Sequence, residues 1–162
     1  MVPSSALRVW RAAADRQRDT AHARWTIVTG LGSTGRALAL KPAGLNSAWS
    51  VSDETAPELE YDFLSAGGAS EALVDFMPTF RICAGMQLRV YVAIDSMTGA
   101  AVEVPGSSGR EDEYGRSRSD GVLDNSVRAH VPLGELAAGR HTLRIRAIDP
   151  GVVIDRVSLP EL

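Results

Sequence analysis

The sequence predicts an all-β fold, an antiparallel β-sandwich or jelly roll with little helix. Three observations carry this. About ten short β-rich runs follow one another along the chain, as sandwiches require. The 15 glycines and 8 prolines fall largely between those runs. Several runs alternate with period two. Leu143, Ile145 and Ala147 share one face opposite Thr142, Arg144 and Arg146, and Leu88, Val90 and Val92 share one opposite Arg89, Tyr91 and Ala93. Such alternation marks antiparallel strands that cover a core on one side.

The elements follow in order. Leu7–Arg11 reads as a first strand. Ala12–Arg24 is rich in Ala, Arg and Gln and is expected to coil for a turn or more. Trp25–Val28 and Arg36–Leu40 flank Gly30-Leu31-Gly32-Ser33-Thr34-Gly35, which matches the letters of a dinucleotide fingerprint. That fingerprint needs a crossover helix whose N-terminus holds the pyrophosphate. Here Pro42 closes the following run too soon for one, and the downstream acids, Asp53 and Glu54, lie in a loop. The glycines therefore read as a tight turn between strands.

Leu59–Phe63, Glu71–Met77, Met86–Ile94 and Ala101–Val104 are the next expected strands. The stretch from Pro105 to Gly121 is polar and Gly/Ser-rich, with the charge run Arg110-Glu111-Asp112-Glu113, and reads as a long mobile loop. Val127–Pro132 follows, then one expected helical turn over Gly134–Ala138, then Arg140–Ile148. Asp149-Pro150-Gly151 is a corner: Pro150 sets φ, Gly151 permits the reversal, and Asp149 is expected to bond backbone amides. Val152–Leu159 is the last strand. No internal repeat or linker divides residues 1–162, so a single domain is expected, least defined over 1–24.

Composition excludes several functions. A net charge of −3, from 17 basic and 20 acidic residues, creates no strong field for nucleic acid or anionic lipid. The arginines are scattered, with no basic block and no interleaved aromatics. No apolar run approaches the roughly 18 residues of a membrane span. Cys83 is the one cysteine, so no internal disulfide forms, and it reads as a small buried apolar residue. This fits cytoplasm and equally a secreted or periplasmic bacterial protein. The N-terminus MVPSSALRVW lacks a signal core and reads as a cut inside a longer chain. His22, His130 and His141 lack metal-ligand spacing, and His141 is expected to hydrogen-bond structurally after a turn. Glu58 and Glu60 share one side of a strand, which does not supply two differently tuned carboxylates. No catalytic constellation is present, and no cofactor or metal is expected.

An ordered set of short motifs runs from Trp25 to Leu159. It comprises Trp25-x4-Gly30-Leu31-Gly32, Ala56-Pro57-Glu58-Leu59-Glu60-Tyr61, Pro78-Thr79, Leu88-Arg89-x4-Ile94-Asp95, Val122-x2-Asn125, Gly139-Arg140-His141-Thr142-Leu143 and Asp149-Pro150-Gly151-Val152-Val153-Ile154-Asp155. The set resembles the C-terminal domain of family 115 glycoside hydrolases, the xylan α-glucuronidases. The resemblance implies a galactose-binding-like β-sandwich akin to family 6 and 35 carbohydrate-binding modules. It also implies that the catalytic residues lie in preceding domains. Relatives often begin with a Glu-Ala-Glu strand whose carboxylates help hold a structural calcium, and Asp155 matches the aspartate of the last strand. Here the corresponding stretch is Ala12-Ala13-Ala14, so no bound calcium is expected. Relatives also carry a tryptophan before the Val-x-x-Asn, where this chain has Arg116 to Gly121.

Sugar sites pair an aromatic face with planar polar groups. Trp49, among the small polar residues from Asn46 to Ser50, and Tyr114, in the long loop, are the candidate platforms. Arg116 and Arg118 are candidates for a uronic acid carboxylate, which the guanidinium fork matches. Trp25, Trp10 and Tyr61 are expected in or against the core. Two functions remain. One is an accessory module that binds or positions a polysaccharide such as glucuronoxylan beside the catalytic domains of a longer chain. The other is a structural module for interdomain packing or homodimerisation.

Overall fold

The structure, a computed structural model, describes residues 7–11, 13–42, 49–79, 85–107 and 123–160. The described strands are β1 (Leu7–Arg11), β2 (Arg16–Arg18), β3 (Arg24–Thr29), β4 (Arg36–Lys41), β5 (Glu58–Ser65), β6 (Gly68–Phe76), β7 (Arg89–Ile94), β8 (Ala100–Glu103), β9 (Val127–Leu136), β10 (Gly139–Ala147) and β11 (Val153–Pro160). They form two antiparallel sheets. One has the order β3-β4-β11-β6-β9, with β1 also on β11, and the other the order β2-β5-β10-β7-β8. Strand β11 pairs β4 through Val153 and Ile154 and pairs β1 through Arg156 to Pro160, so β4 and β1 lie end to end along it. The expected sandwich is present, and each expected strand has a counterpart.

Alternation builds the core. Leu59, Tyr61 and Phe63 of β5, Val90, Val92 and Ile94 of β7, and Leu143, Ile145 and Ala147 of β10 are buried. They meet Leu38, Leu40, Val74, Phe76, Ile154, Val157 and Leu159 from the other sheet. Burying each such aliphatic side chain contributes about 1.5–3 kcal/mol. Trp25 is 2% exposed, and its indole Nε1 donates to the Pro57 carbonyl. Tyr61 is 1% exposed and takes the edge of half-buried Trp10 at 5.3 Å.

The glycine hexad makes the β3–β4 turn. Gly30 N–H donates to Gly35 O at 2.8 Å, and Gly35 N–H donates to Gly32 O at 3.2 Å. Gly32 has φ +80 and leaves no room for a Cβ, which would meet Asp155 Oδ1 at 2.2 Å.

Two local expectations are corrected. Residues 16–18, expected to coil, form β2 instead. Arg16 donates to Glu60 at 2.5 Å and grips both oxygens of Asp62, and cross-strand pairing overrides helix propensity over three exposed residues. The helical turn expected over Gly134–Ala138 is absent. Strand β9 runs to Leu136 against β6, with a register shift at Ser70/Glu71 and Gly134 at φ +75.

Candidate functional site

The strand directions assign the connections to two ends of the sandwich. At one end, β3 joins β4, β5 joins β6 and β9 joins β10 by short turns. At the other end the chain leaves and re-enters the sheets for the connections over 42–57, 77–88 and 104–126, and the 148–152 corner lies there. Trp49 belongs to that second end. Its backbone N–H donates to Ile148 O at 2.7 Å, and its ring packs, partly buried, against the core.

The polypeptide after Trp49 is tied down by side chains from both sheet-forming neighbours. Arg146 Nη2 donates to Val51 O at 2.8 Å, and its guanidinium lies 4.5 Å over the Tyr91 ring. Arg146 is 4% exposed, and its Nε has no hydrogen-bond partner among the described residues. Arg18 donates to the carbonyls of Glu54 and Ala56. Asp53 accepts from the Thr55 hydroxyl and amide, which holds its carboxyl below the ordinary range. Trp49 therefore sits on an anchored segment, a requirement for a preformed platform.

Tyr114, Arg116 and Arg118 lie outside the described residues, as does Cys83. The connection that carries those three leaves β8 and enters β9 at the Trp49 end. The corner beside Trp49 corrects one expectation. The Asp149 carboxylate accepts Arg89 Nε at 2.7 Å and Nη2 at 3.3 Å, which fixes the corner to β7 through an ion pair. A bidentate guanidinium is a stronger partner for a nearly buried carboxylate than a backbone amide.

The outer face of the five-stranded sheet is polar, and Glu58, Glu60 and Asp62 on it are paired. Glu58, 2% exposed, pairs with Arg144 at 3.0 Å and Arg18 at 3.8 Å. Glu60 and Asp62 pair with Arg16. Thr142 donates to Asp62 at 2.8 Å, and Arg16 with Thr142 holds the Asp62 carboxyl down at about 2. Carboxylates locked in this way are framework. His141 is framework as well. Its Nδ1 meets Asp95 Oδ2 at 2.8 Å and its Nε2 meets Ala137 O at 2.8 Å. Both partners only accept, so each favours a proton on the nitrogen it meets, which raises the imidazole's affinity for protons.

The calcium that the fold family implies does not fit the residues present. Asp155 is buried, and its Oδ1 accepts the Ser33 N–H at 2.9 Å. Ala13 and Ala14 offer no ligand. The neighbouring Asp15 turns away, accepting from Trp10 Nε1 and the Asp62 N–H. Among the described residues no group of three or more His, Cys, Asp or Glu gathers at a metal-sized site. Calcium takes six to eight oxygens, and Asp155 Oδ2, without a hydrogen-bond partner among the described residues, is a single one.

One cleft opens at the long-connection end. It has a volume of about 550 Å³ and lies between the β2–β3 turn and the end of the β3–β4 ladder, where Asp19, Thr20, His22, Arg24 and Lys41 face it. Sequence reasoning missed this site. Arg24 and Lys41 close the open end of the β3–β4 hairpin, and its register makes them direct partners.

The sequence profile named "Glycosyl hydrolase family 115 C-terminal domain" matches residues 11–160. The chain belongs to that family. The family 115 C-terminal domain fold is shared with solved structures at low identity. A family GH115 4-O-methyl-α-glucuronidase, BtGH115A, with specificity for decorated arabinogalactans, superposes with a TM-score of 0.64 at 22% identity. The match covers 93% of this chain and 18% of that one, so the chain spans under a fifth of the glucuronidase. The C-terminal CBM6 of LamC, a marine laminarinase from Zobellia galactanivorans, matches with TM-score 0.57 and 13% identity, over 96% of this chain and 100% of that one. A family 35 carbohydrate binding module from Clostridium thermocellum matches with TM-score 0.57 and 12% identity, over 94% and 98%. No curated protein sequence matches the chain.

Proposed function

We propose that this family 115 C-terminal domain is a non-catalytic accessory domain that binds or positions carbohydrate beside the catalytic domains of an α-glucuronidase-type glycoside hydrolase. Glucuronoxylan is the proposed glycan. The observation that supports the reading best is the coverage of free-standing carbohydrate-binding modules over essentially their whole length. Their fold is this chain's fold, in which the chain leaves and re-enters the sheets for the 42–57, 77–88 and 104–126 connections at the end where Trp49 lies.

The proposed contact surface is that end. Trp49 supplies an apolar face on an anchored segment, and Tyr114, Arg116 and Arg118 are carried by a connection that starts and finishes there. Sugar rings present C–H faces to aromatics and hydroxyls to planar polar groups, so the residue types suit the ligand. Affinity electrophoresis of the 162-residue chain against glucuronoxylan, with decorated arabinogalactan as a second gel, tests the reading. Retardation that weakens with Trp49→Ala supports it. Absence of retardation by either glycan removes it, and light scattering that then shows a dimer would favour the structural module.

A further inference from the structure

Arg24 and Lys41 stand directly opposite one another in the β3–β4 ladder, next to the buried pair Trp25 and Leu40. Side chains on directly opposed residues share one face of the sheet, so the two cations point the same way, and both border the 550 Å³ cleft. Like charges in directly opposed positions destabilise a ladder. Several arginines elsewhere in the sandwich, Arg16, Arg18, Arg89, Arg128, Arg144 and Arg156, pair with carboxylates. Among the described residues neither Arg24 nor Lys41 has an ion-pair partner.

The opposite wall of the cleft is preformed. Thr20 Oγ1 accepts the N–H groups of His22 at 3.3 Å and Ala23 at 2.9 Å, and Thr20 N–H donates to Ala23 O at 2.9 Å. Gln17 Nε2 bridges Asp19 Oδ1 at 2.5 Å and Trp25 O at 2.7 Å, which fastens the turn to β3. A volume of this size falls within the roughly 300–1,000 Å³ of small-molecule sites. Two cations beside an acceptor carboxylate suit a ligand that is anionic at one point and rich in hydroxyl donors at others. Leu40, the neighbour of Lys41, donates its N–H to Val152 O at 3.3 Å, in the corner whose Ile148 O accepts the Trp49 N–H.

We propose that this cleft binds the anionic substituent of an acidic sugar, with Arg24 and Lys41 holding the charged group and Asp19 accepting from ring hydroxyls. The proposal rests on the carbohydrate-binding reading for its ligand class and adds a site separate from the Trp49 platform.

The test is an amide NMR titration of the 162-residue chain with D-glucuronate, with D-glucose and acetate as controls. Glucuronate is expected to shift the amides of Thr20, His22, Ala23, Arg24 and Lys41, and glucose and acetate at equal concentration to leave them in place. Arg24→Gln/Lys41→Gln is expected to weaken glucuronate binding about tenfold or more without lowering the melting temperature, since it removes a repulsion. Arg24→Lys is expected to retain most of the affinity. The proposal is overturned by an absence of shifts, by shifts confined to other residues, by glucose or acetate matching glucuronate, or by wild-type affinity in the double variant. Glucose 6-sulfate matching glucuronate supports the anionic site and widens the ligand to sulfate esters. Glucuronate binding here without polysaccharide retardation leaves this site standing and removes the Trp49 platform. The converse removes this site alone.

Discussion

Ser33 donates its backbone N–H to Asp155 Oδ1 at 2.9 Å, across 122 positions of sequence. The bond ties the β3–β4 turn to the last strand at the point where β11 leaves β4 and takes up β1. It fills one acceptor of a buried carboxylate with protein, where the wider fold family is expected to use a metal.

Gly32 sits under that bond and its replacement will be costly. A Cβ there meets Asp155 Oδ1 at 2.2 Å and Arg36 O at 2.8 Å, with φ at +80. Gly32→Ala is expected to lose about 3 kcal/mol or more in urea unfolding, from backbone strain plus a clash with backbone. Gly30, at φ +82 with nothing within 4 Å, is the control. Gly30→Ala should cost only the left-handed conformation, about 1–2 kcal/mol. Equal losses for the two variants would contradict the packing account.

Asp75 anchors the outer face of the six-stranded sheet. It is 1% exposed and accepts from Arg128 Nε at 2.7 Å and Arg156 Nε at 2.7 Å. Burial pushes its carboxyl up, and the arginine hydrogen bonds outweigh that and leave it below the ordinary range. Asp75→Ala is expected to cost about 2 kcal/mol by chemical denaturation. That is less than the roughly 3–5 kcal/mol of a fully buried pair, because both arginines keep access to water.

Acid should unfold the domain through such carboxylates. The Asp62 carboxyl is held at about 2 by Arg16 and Thr142, and Asp75 is also lowered. A depressed folded-state value means stability that is present above the unfolded carboxylate value, near ~3.9, and lost as pH falls towards the folded value. Unfolding midpoints should therefore drop between pH 4 and pH 2, and Asp62→Asn should flatten that slope. A slope unchanged in the variant would exclude Asp62 as a contributor.

His141 acts in the opposite sense. Asp95 first, and Ala137 O second, raise its imidazole above 6.5. A raised folded-state value means stability that is full below the unfolded value and lost as pH rises through the folded one. The melting temperature should be lower at pH 8.5 than at pH 6, and the gap should narrow in His141→Gln. Direct NMR titration of the ring would show the raised midpoint.

Arg146 holds the segment that begins at Trp49. Its Val51 hydrogen bond and Tyr91 stacking both need the planar guanidinium, so Arg146→Lys should not substitute for it. Hydrogen exchange over residues 49–56 is expected to quicken in Arg146→Lys and in Arg146→Met alike. Full protection in the lysine variant would show that charge alone suffices.

The alternation in β7 and β10 was legible because a half-buried strand writes period two into its residues. The hexad from Gly30 to Gly35 was legible as a turn because no helix follows it. Strand β2 was not, because Arg16-Gln17-Arg18 carries no burial signal and becomes a strand only where Glu58, Glu60 and Asp62 meet it. Asp149 was misjudged for a related reason: Arg89 is remote in sequence and adjacent in space.

The sequence by itself determined the two-faced strands, the turns between them and the family, since these depend on local patterns and an ordered set of short motifs. Only the tertiary structure decided which charges meet. It locked Glu58, Glu60, Asp62 and Asp75 into pairs, gave Asp155 to Ser33, and set Arg24 beside Lys41 over an open cleft. Cross-strand pairing does that sorting, and for all of these but the β3–β4 hairpin pair it joins residues remote in sequence, which no local window of the chain contains.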